Sequence, residues 1–206
     1  MQSSVLNSND QFSKHEFDLL ASSKSRFVSV KLAEISDATR LYEFIGDYLN
    51  LQEGDYLNLQ ENVISLIEDL ILRNKKGVFL FEKNGVVLGF YALQMLNEHG
   101  LEALLSGNFD GSYPVEKFLT QDGQSSSALY VWSYIAPGLA ANGVRYVSRF
   151  LQRAEYRNVN FYARPVTAEG LQVTLDFGFV PVESSTDGLY CYTRLINRSL
   201  SHQQAA

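Results

Sequence analysis

The residues best suited to chemistry in this sequence surround a proline and a glycine in the second half of the chain. Ile135-Ala136-Pro137 ends a strand-like run, and Gly143 follows six residues after the proline, where a helical pattern begins. The free N–H groups and the dipole of a helix N-terminus attract an anion, and a glycine lets the backbone approach it closely. The segment therefore predicts a place where an anionic group can bind.

The sequence gives no sign of several other kinds of reactive site. One cysteine, Cys191, and three scattered histidines offer no metal-ligand spacing, and a single cysteine cannot form an internal disulfide. Neither a Gly-x-Ser-x-Gly nucleophile motif nor a Walker-type phosphate loop occurs. Because Cys191 lies between Tyr190 and Tyr192 in a strand pattern, we expect it to be a buried, unreactive thiol.

The composition is that of one globular domain. The chain has 206 residues, of which 46% are hydrophobic and 13% aromatic. A net charge of −6 argues against a nucleic-acid partner, although a local nest of backbone amides can still hold a small anion. With no apolar run long enough to span a membrane and no signal-peptide core, we expect a cytoplasmic protein without a membrane partner.

Hydrophobic periodicity predicts a domain at residues 26–195, between a flexible leader at residues 1–25 and a tail at residues 196–206. The order of predicted elements is that of an α/β domain with a mixed central sheet flanked by helices. Residues 96–127 are expected to be loop-rich. The predicted strands are 27–32, 78–81, 86–93, 128–135, 159–163, 179–182 and 189–195, and the predicted helices are 38–45, 62–73, 143–154 and 167–177.

Two local patterns make more detailed predictions. Strict alternation along residues 128–135 predicts that Tyr130, Trp132 and Tyr134 lie on one face of a strand, with Val131, Ser133 and Ile135 on the other. Residues 46–53 and 54–61 have the identical sequence GDYLNLQE. Two copies of so short a unit are too few for a repeat architecture, so a longer helix or loop is the expected consequence.

Three patterns occur in a fixed order along the chain. The segment from Val30 to Ala38 has a strand and a helix start, Pro137 precedes Gly143, and a helix from Thr167 ends at Gly178-Phe179. In this order and spacing, over about residues 27–195, they resemble the GNAT superfamily of acyl-coenzyme-A-dependent N-acyltransferases. The resemblance implies a single GNAT-like domain.

The resemblance also implies the donor and its binding residues. Acetyl-CoA or another acyl-CoA is the implied donor, with no metal, and the pyrophosphate would lie on a loop of pattern Q/R-x-x-G-x-G/A. In this chain Ala140 stands at the Q/R position and Arg145 at the second glycine position, where a guanidinium could hold a phosphate or block the groove. The implied donor-binding residues are Tyr134, Ile135, Ala140, Asn142, Gly143, Val144 and Arg145.

The implied reaction is attack of a neutral amine on a thioester carbonyl, which needs a polarised carbonyl and a proton for the departing thiolate. Thr174 stands where many members of the superfamily have a catalytic tyrosine, so Tyr134 and Tyr190 are the candidate proton donors. Glu34 and His99 are the candidate bases, although ordered water can also remove the proton.

Two further functions stay open at this point. One is a GNAT-fold module that binds a ligand or a protein without catalysis, and the other is an acyltransferase whose donor is a carrier protein. The expected acceptor is an amine-bearing small molecule or a peptide. The sequence determines neither the acyl length nor whether the chain is a monomer or a homodimer.

Overall fold

The computed structural model describes residues 28–49, 53–74, 76–111, 113, 115–121, 123–153, 156–183, 185 and 188–194, with the backbone alone for residues 53–62. The predicted leader at residues 1–25 and the predicted tail at residues 196–206 lie outside the described residues. So do Phe27, Ala154 and Leu195, which the sequence patterns assign to the ends of elements.

The described elements form one mixed sheet of seven strands in the order β1-β2-β3-β4-β5-β7-β6, in which only β4 and β5 are parallel neighbours. The strands are β1 (Ser29–Leu32), β2 (Val78–Lys83), β3 (Val86–Leu96), β4 (Ala128–Ile135), β5 (Asn160–Ala163), β6 (Val180–Pro181) and β7 (Tyr190–Tyr192). The helices are α1 (Ala38–Leu49), α2 (Glu53–Arg73), α3 (Glu98–Leu105), α4 (Ala141–Phe150) and α5 (Ala168–Asp176).

Both faces of the sheet are covered, as the continuously apolar β2 and β3 predict. On one face α4 packs against the strands through Val147 and Phe150, which lie with Phe79 and Phe81 in one buried cluster. On the other face α1 and α2 cover Leu80 and its neighbours, and α3 covers the far end. The predicted α/β class, with a mixed sheet flanked by helices, is confirmed.

The predicted hairpin between β2 and β3 is also confirmed. Asn84 and Gly85 have φ angles of 52° and 79°, the left-handed conformation that a tight two-residue turn requires. At the other end of the chain, Thr167 caps α5 by accepting the Gly170 N–H at 3.0 Å, and Gly178 follows the helix with φ of 83°.

The segment predicted to be loop-rich contains a helix instead, α3. Asn97 caps this helix by accepting the Gly100 N–H at 2.9 Å, and its amide nitrogen donates to Lys117 O and Leu119 O. The cap and the apolar Leu101 and Leu104 at three-residue spacing are local signals that predict a helix. The departure from the prediction is confined to residues 98–105, since among the other described residues of the segment the longest helical element is the single turn Glu116–Phe118.

The duplicated GDYLNLQE sequence lengthens the two helices on the α1–α2 face. The first copy contributes the last turn of α1 and the first residue of α2, and the second copy lies entirely within α2. The expected consequence, a longer helix, is confirmed for α2, which has 21 residues.

Asp37 organises the junction between β1 and α1. It is buried, and its carboxylate accepts hydrogen bonds from the Glu34 N–H at 3.0 Å, Lys31 Nζ at 2.9 Å and Arg40 Nη1 at 2.7 Å. Burial raises the pKa of this carboxyl, but the Glu34 hydrogen bond and the Lys31 and Arg40 contacts outweigh burial, so the pKa of Asp37 is lowered.

Gly143 is a packing residue inside α4. A Cβ added to Gly143 would lie 2.4 Å from Phe81 Cδ1, closer than any real contact. Helix α4 therefore approaches β2 at this residue more closely than a side chain would allow. The glycine that the sequence assigns to ligand binding thus has a structural role in the core.

We expect Asp37→Asn to destabilise the fold near neutral pH by about 1–3 kcal/mol, because it removes the buried carboxylate that Lys31 and Arg40 share and leaves Glu82 as their remaining anion. The pKa of Asp37 is lowered in the folded state, so the carboxylate stabilises above the unfolded pKa and that contribution is lost as pH falls through the folded pKa. The difference in free energy of unfolding should therefore shrink on acidification. Denaturant titrations at several pH values measure it, with Asp47→Asn on the exposed side of α1 as control. A pH-independent difference would contradict the assignment.

We expect Gly143→Ala to lower the free energy of unfolding by about 1–3 kcal/mol through overpacking, even though alanine favours a helix over glycine by about 1 kcal/mol. Phe81→Leu removes the ring edge that the new methyl meets. The double variant should therefore be more stable than the sum of the two single changes predicts, and denaturant titrations of all four proteins measure this coupling. Strict additivity would show that Phe81 is not the limiting contact.

Candidate active site

Strand β4 contains a β-bulge at the point where it leaves β5. Ala92 pairs with Ser133, whereas the next residue, Leu93, pairs with Val131, so Trp132 is the extra residue in β4. The last pair between the parallel strands β4 and β5 is Val131–Ala163. The bulge and the end of pairing therefore coincide within one residue.

Beyond this last pair β4 continues for four more residues, to Ile135, while β5 ends at Ala163. We call the space between the two strands beyond Val131–Ala163 the β4–β5 cleft. Backbone N–H and C=O groups along a strand that has left its neighbour can bond an extended ligand in the neighbour's place. This arrangement is suited to a long, thin ligand such as a pantetheine arm.

The bulge corrects the predicted facing of β4. Val131 packs in the cluster under α4, and Trp132 packs on the opposite face. Strict alternation would place Tyr134 with Trp132, but Tyr134 pairs with Tyr91 and contacts its ring on the α4 side, whereas Ile135 packs on the α1–α2 side. The extra residue reverses the alternation, so the predicted grouping of Tyr130, Trp132 and Tyr134 is wrong for Tyr134.

Tyr134 and Tyr91 form an aromatic pair at the cleft. Their ring centroids are 5.7 Å apart, and Tyr134 is half-buried. Burial, with a smaller contribution from Tyr48 at the end of α1, raises the pKa of Tyr134. Burial and the neighbouring Tyr134 likewise raise the pKa of Tyr91, against the opposing charge of Arg194. Both hydroxyls therefore keep their protons at neutral pH and can donate a hydrogen bond.

The other predicted catalytic residues lie at different distances from the cleft. Tyr190, at the start of β7, pairs with Ala163, the last residue of β5, so it is placed across the cleft from β4. Glu34 follows β1, and two strands, β2 and β3, lie between β1 and β4, a lateral separation of about 14 Å. The structure thus brings Tyr134 and Tyr190 to the two sides of one cleft and leaves Glu34 apart from them.

The turn that joins β4 to α4 starts the helix earlier than predicted. Residues Gly138–Ala140 form one 3₁₀ turn, and α4 begins at Ala141, two residues before Gly143. We call residues 136–141 the cradle turn. Within it the Ala140 N–H donates to Pro137 O at 3.0 Å and the Ala141 N–H donates to Gly138 O, while Gly138 has a φ of 52°.

The predicted donor-binding residues around this turn divide into buried and accessible ones. Ala140 and Gly143 are buried in the core under α4, and Val144 packs against the same cluster. Asn142 is half-buried near the start of α4, and Arg145 is exposed one turn further along, so these two side chains are available to a ligand.

Two further candidates are not placed for proton transfer. The Thr174 hydroxyl donates to Gly170 O at 2.7 Å, inside α5. His99 is 80% exposed on α3, where its Nδ1 lies 3.7 Å from Glu102 Oε2. His99 lies in the part of the segment 96–127 that forms α3 rather than a loop. Cys191 is buried as expected, with Sγ 3.5 Å from Thr193 Oγ1.

Three residues that help to shape the cleft were missed in the sequence. Trp132 occupies the bulge, Tyr91 pairs with Tyr134, and Gly89 in β3 lets the cradle turn approach, since a Cβ there would lie 2.4 Å from Ile135 O and 2.9 Å from Ala140 Cβ. A glycine inside an apolar strand is a signal for such a close approach. The bulge has no comparable local signal.

Other surface features lie away from the cleft. Two surface depressions, of about 610 Å³ and 480 Å³, both have Lys117 in their lining. The larger one is also lined by Arg73 of α2, and the smaller one by His99 and Glu102 of α3. In the part of the chain that the structure describes, no helix is long and apolar enough to cross a membrane, and no cluster of three or more His, Cys, Asp or Glu is placed to hold a metal ion.

No protein-family model and no curated protein matches the sequence. Among solved structures, the loading GNATL domain of CurA from Lyngbya majuscula is similar over 82% of this chain and 99% of that domain, with a TM-score of 0.52 at 15% identity. A ribosomal-protein-alanine N-acetyltransferase from Brucella melitensis is similar over 77% of this chain and 96% of that chain, with a TM-score of 0.47 at 14% identity. The GphF GNAT-like decarboxylase in complex with isobutyryl-CoA is similar over 80% of this chain and 98% of that chain, with a TM-score of 0.49 at 11% identity. At identities this low, structural similarity shows the fold alone. The similarity to the CurA domain supports the conclusion that the chain has the fold of the GNAT superfamily.

Proposed function

We propose that the protein is an N-acyltransferase that moves an acetyl or other acyl group from coenzyme A to an amine. The observation that carries the proposal is the β4–β5 cleft, which opens at the Trp132 bulge and leads to the cradle turn. A strand edge for the pantetheine arm and a helix N-terminus for the phosphates are the two features that an acyl-CoA requires. The acceptor that we propose is an amine on a small molecule or a peptide.

In the proposed reaction the neutral amine attacks the thioester carbonyl. A nitrogen–carbon bond forms, the carbon–sulfur bond breaks, and the thiolate receives the proton that the amine loses. A β4 N–H in the cleft would polarise the carbonyl oxygen, as a preorganised donor does in other acyl transfers. Such backbone donors do not depend on the side chains that differ from the superfamily pattern.

Tyr134 is the proposed hydrogen-bond donor to the departing thiolate. Its raised pKa keeps the hydroxyl protonated, and it also makes full transfer of the proton to a thiolate of pKa about 8.5 unfavourable. The residue therefore stabilises negative charge on sulfur by a hydrogen bond, while solvent completes the proton transfer. Tyr190 on the other side of the cleft is the second candidate, and the position of Glu34 favours a water-mediated base over a direct one.

Arg145 is the proposed contact for a phosphate of the donor. It is exposed at the start of the second turn of α4, where the superfamily pattern has a small residue, and its guanidinium can bond a phosphate at two points. Asn142, one turn earlier on the accessible side, is the second polar side chain proposed to meet the donor.

A binding module without catalysis is the alternative, and one observation favours it. The hydroxyl of Thr174, at the position of the usual catalytic tyrosine, is bonded within its own helix. Such a module would bind the donor in the same cleft without releasing a thiol.

Donor binding is tested by thermal unfolding with acetyl-CoA and a longer acyl-CoA. A ligand at 100 times its Kd should stabilise the fold by about 2.7 kcal/mol, and the shift should depend on concentration. Desulfo-coenzyme A, which keeps the phosphates and the arm but has no thiol, is the matched control and should stabilise comparably. A melting curve that saturating coenzyme A esters leave unmoved would refute donor binding.

Catalysis is tested by Tyr134→Phe, with Tyr91→Phe and Tyr190→Phe as matched removals of one hydroxyl each. Loss of a hydrogen bond to the leaving thiolate should lower kcat about tenfold, the effect of about 1.4 kcal/mol in the barrier, and should leave the donor Kd nearly unchanged. Thiol release from acetyl-CoA with a panel of primary amines measures kcat. A larger loss in Tyr190→Phe than in Tyr134→Phe would reassign the donor, and release by no amine would favour the binding module.

A further inference from the structure

The part of the chain that forms the cleft and its entrance is depleted of acidic residues. Residues 123–154, which contain β4, the cradle turn and α4, include no aspartate or glutamate, although the whole chain has 23 and a net charge of −6. Three exposed arginines lie at or just beyond the end of this stretch, and we call them the arginine row: Arg145, Arg149 and Arg157, with one acidic residue, Glu155, between the last two in sequence. The result is a local excess of positive charge beside the cleft of an acidic protein.

The arginine row is accessible and extends away from the cradle turn. Arg145 and Arg149 lie four residues apart on α4, so they are neighbours on one side of the helix, and both are exposed. Arg157, also exposed, follows the C-terminal end of this ten-residue helix, which is about 15 Å long. Arg149 and Arg157 thus lie beyond the part of α4 that is next to the cradle turn, where they can contact a partner rather than a phosphate at the turn.

The cradle turn itself offers a pyrophosphate fewer donors than an open helix N-terminus. An open terminus has four free N–H groups. Here Pro137 has no N–H, and the N–H groups of Ala140 and Ala141 are already bonded within the turn. Gly143 packs against Phe81, so its missing side chain gives a ligand no additional room.

We propose that the preferred donor is a thioester on the phosphopantetheine arm of an acidic carrier protein, which docks on the arginine row and inserts its arm into the β4–β5 cleft. The proposal rests on the proposed function, and it names the partner that presents the thioester. Such a donor has one phosphodiester where coenzyme A has a pyrophosphate and a nucleotide, which suits a turn with few free amides. Its acidic surface complements the row, and the carrier thiol is the leaving group in the transfer described above.

The test compares three acetyl thioesters by calorimetry: acetyl-pantetheine, acetyl-CoA and an acidic holo-carrier protein acetylated on its arm. Wild-type protein should bind the carrier at least about tenfold more tightly than acetyl-CoA at low salt, and added salt should weaken that binding because exposed charges are screened. Arg149→Glu combined with Arg157→Glu should weaken carrier binding at least about tenfold and change the Kd of acetyl-pantetheine by less than about twofold.

The control is Lys76→Glu combined with Lys83→Glu, which changes the net charge equally at exposed residues at the two ends of β2 and should leave carrier binding within about twofold. Arg149→Gln with Arg157→Gln is the milder pair should the first variant fail to fold. Equal losses in the two charge-reversal variants, carrier binding no tighter than acetyl-CoA, or equally tight binding of heparin through the same arginines would each overturn the inference. If none of the three thioesters binds, the proposed function itself is wrong.

Discussion

The separation of two parallel strands at a single extra residue is the constraint on which the site depends. Trp132 is the extra residue in β4, and the pairing of β4 with β5 ends beside it, at Val131–Ala163, where β5 itself ends. The insertion also reverses the facing of the residues that follow, so Tyr134 lies against Tyr91 on the side of the sheet that α4 covers. The bulge thus places a polar group beside the opening that the end of β5 leaves.

The cradle turn is held over the end of β4 by small residues, for reasons of packing. Gly89 and Gly143 lie where a side chain would meet backbone or a ring, and the small Ala140 is fully buried, so these residues let the turn and α4 approach the sheet. The identity of these residues is therefore set by the core, whereas any contact with a donor would be made by backbone groups and by Asn142 and Arg145. This division explains how a sequence can differ from the superfamily pattern and keep the shape that the pattern produces.

Charge is distributed unevenly over the same framework. At the β1 edge, the buried carboxylate of Asp37 accepts hydrogen bonds from Lys31 and Arg40. Arg40 also forms an ion pair with Glu82 at 2.7 Å, so these charges stabilise the junction between β1, α1 and the hairpin. Near β4 and α4, residues 123–154 contain no acidic residue, while Arg145 and Arg149 on α4 are exposed. Because exposed charges act over about a Debye length, this second group can attract an anionic partner, whereas the first is confined to the fold.

The sequence by itself determined the elements whose signals are local. Asn84-Gly85 specifies the hairpin, Thr167 and Gly178 mark the ends of α5, and apolar periodicity predicts the strands and the α/β class. It did not determine that α3 replaces a loop, that α4 begins at Ala141, or that Tyr134 and Ile135 exchange faces. Nor did it show that Tyr134 and Tyr190 lie on either side of one cleft while Glu34 lies about 14 Å to the side. Those outcomes were decided by tertiary structure, because a bulge, a close approach and a shared cleft depend on the register between strands that are distant in sequence. The sequence of one strand does not specify which strand it pairs with, or in which register.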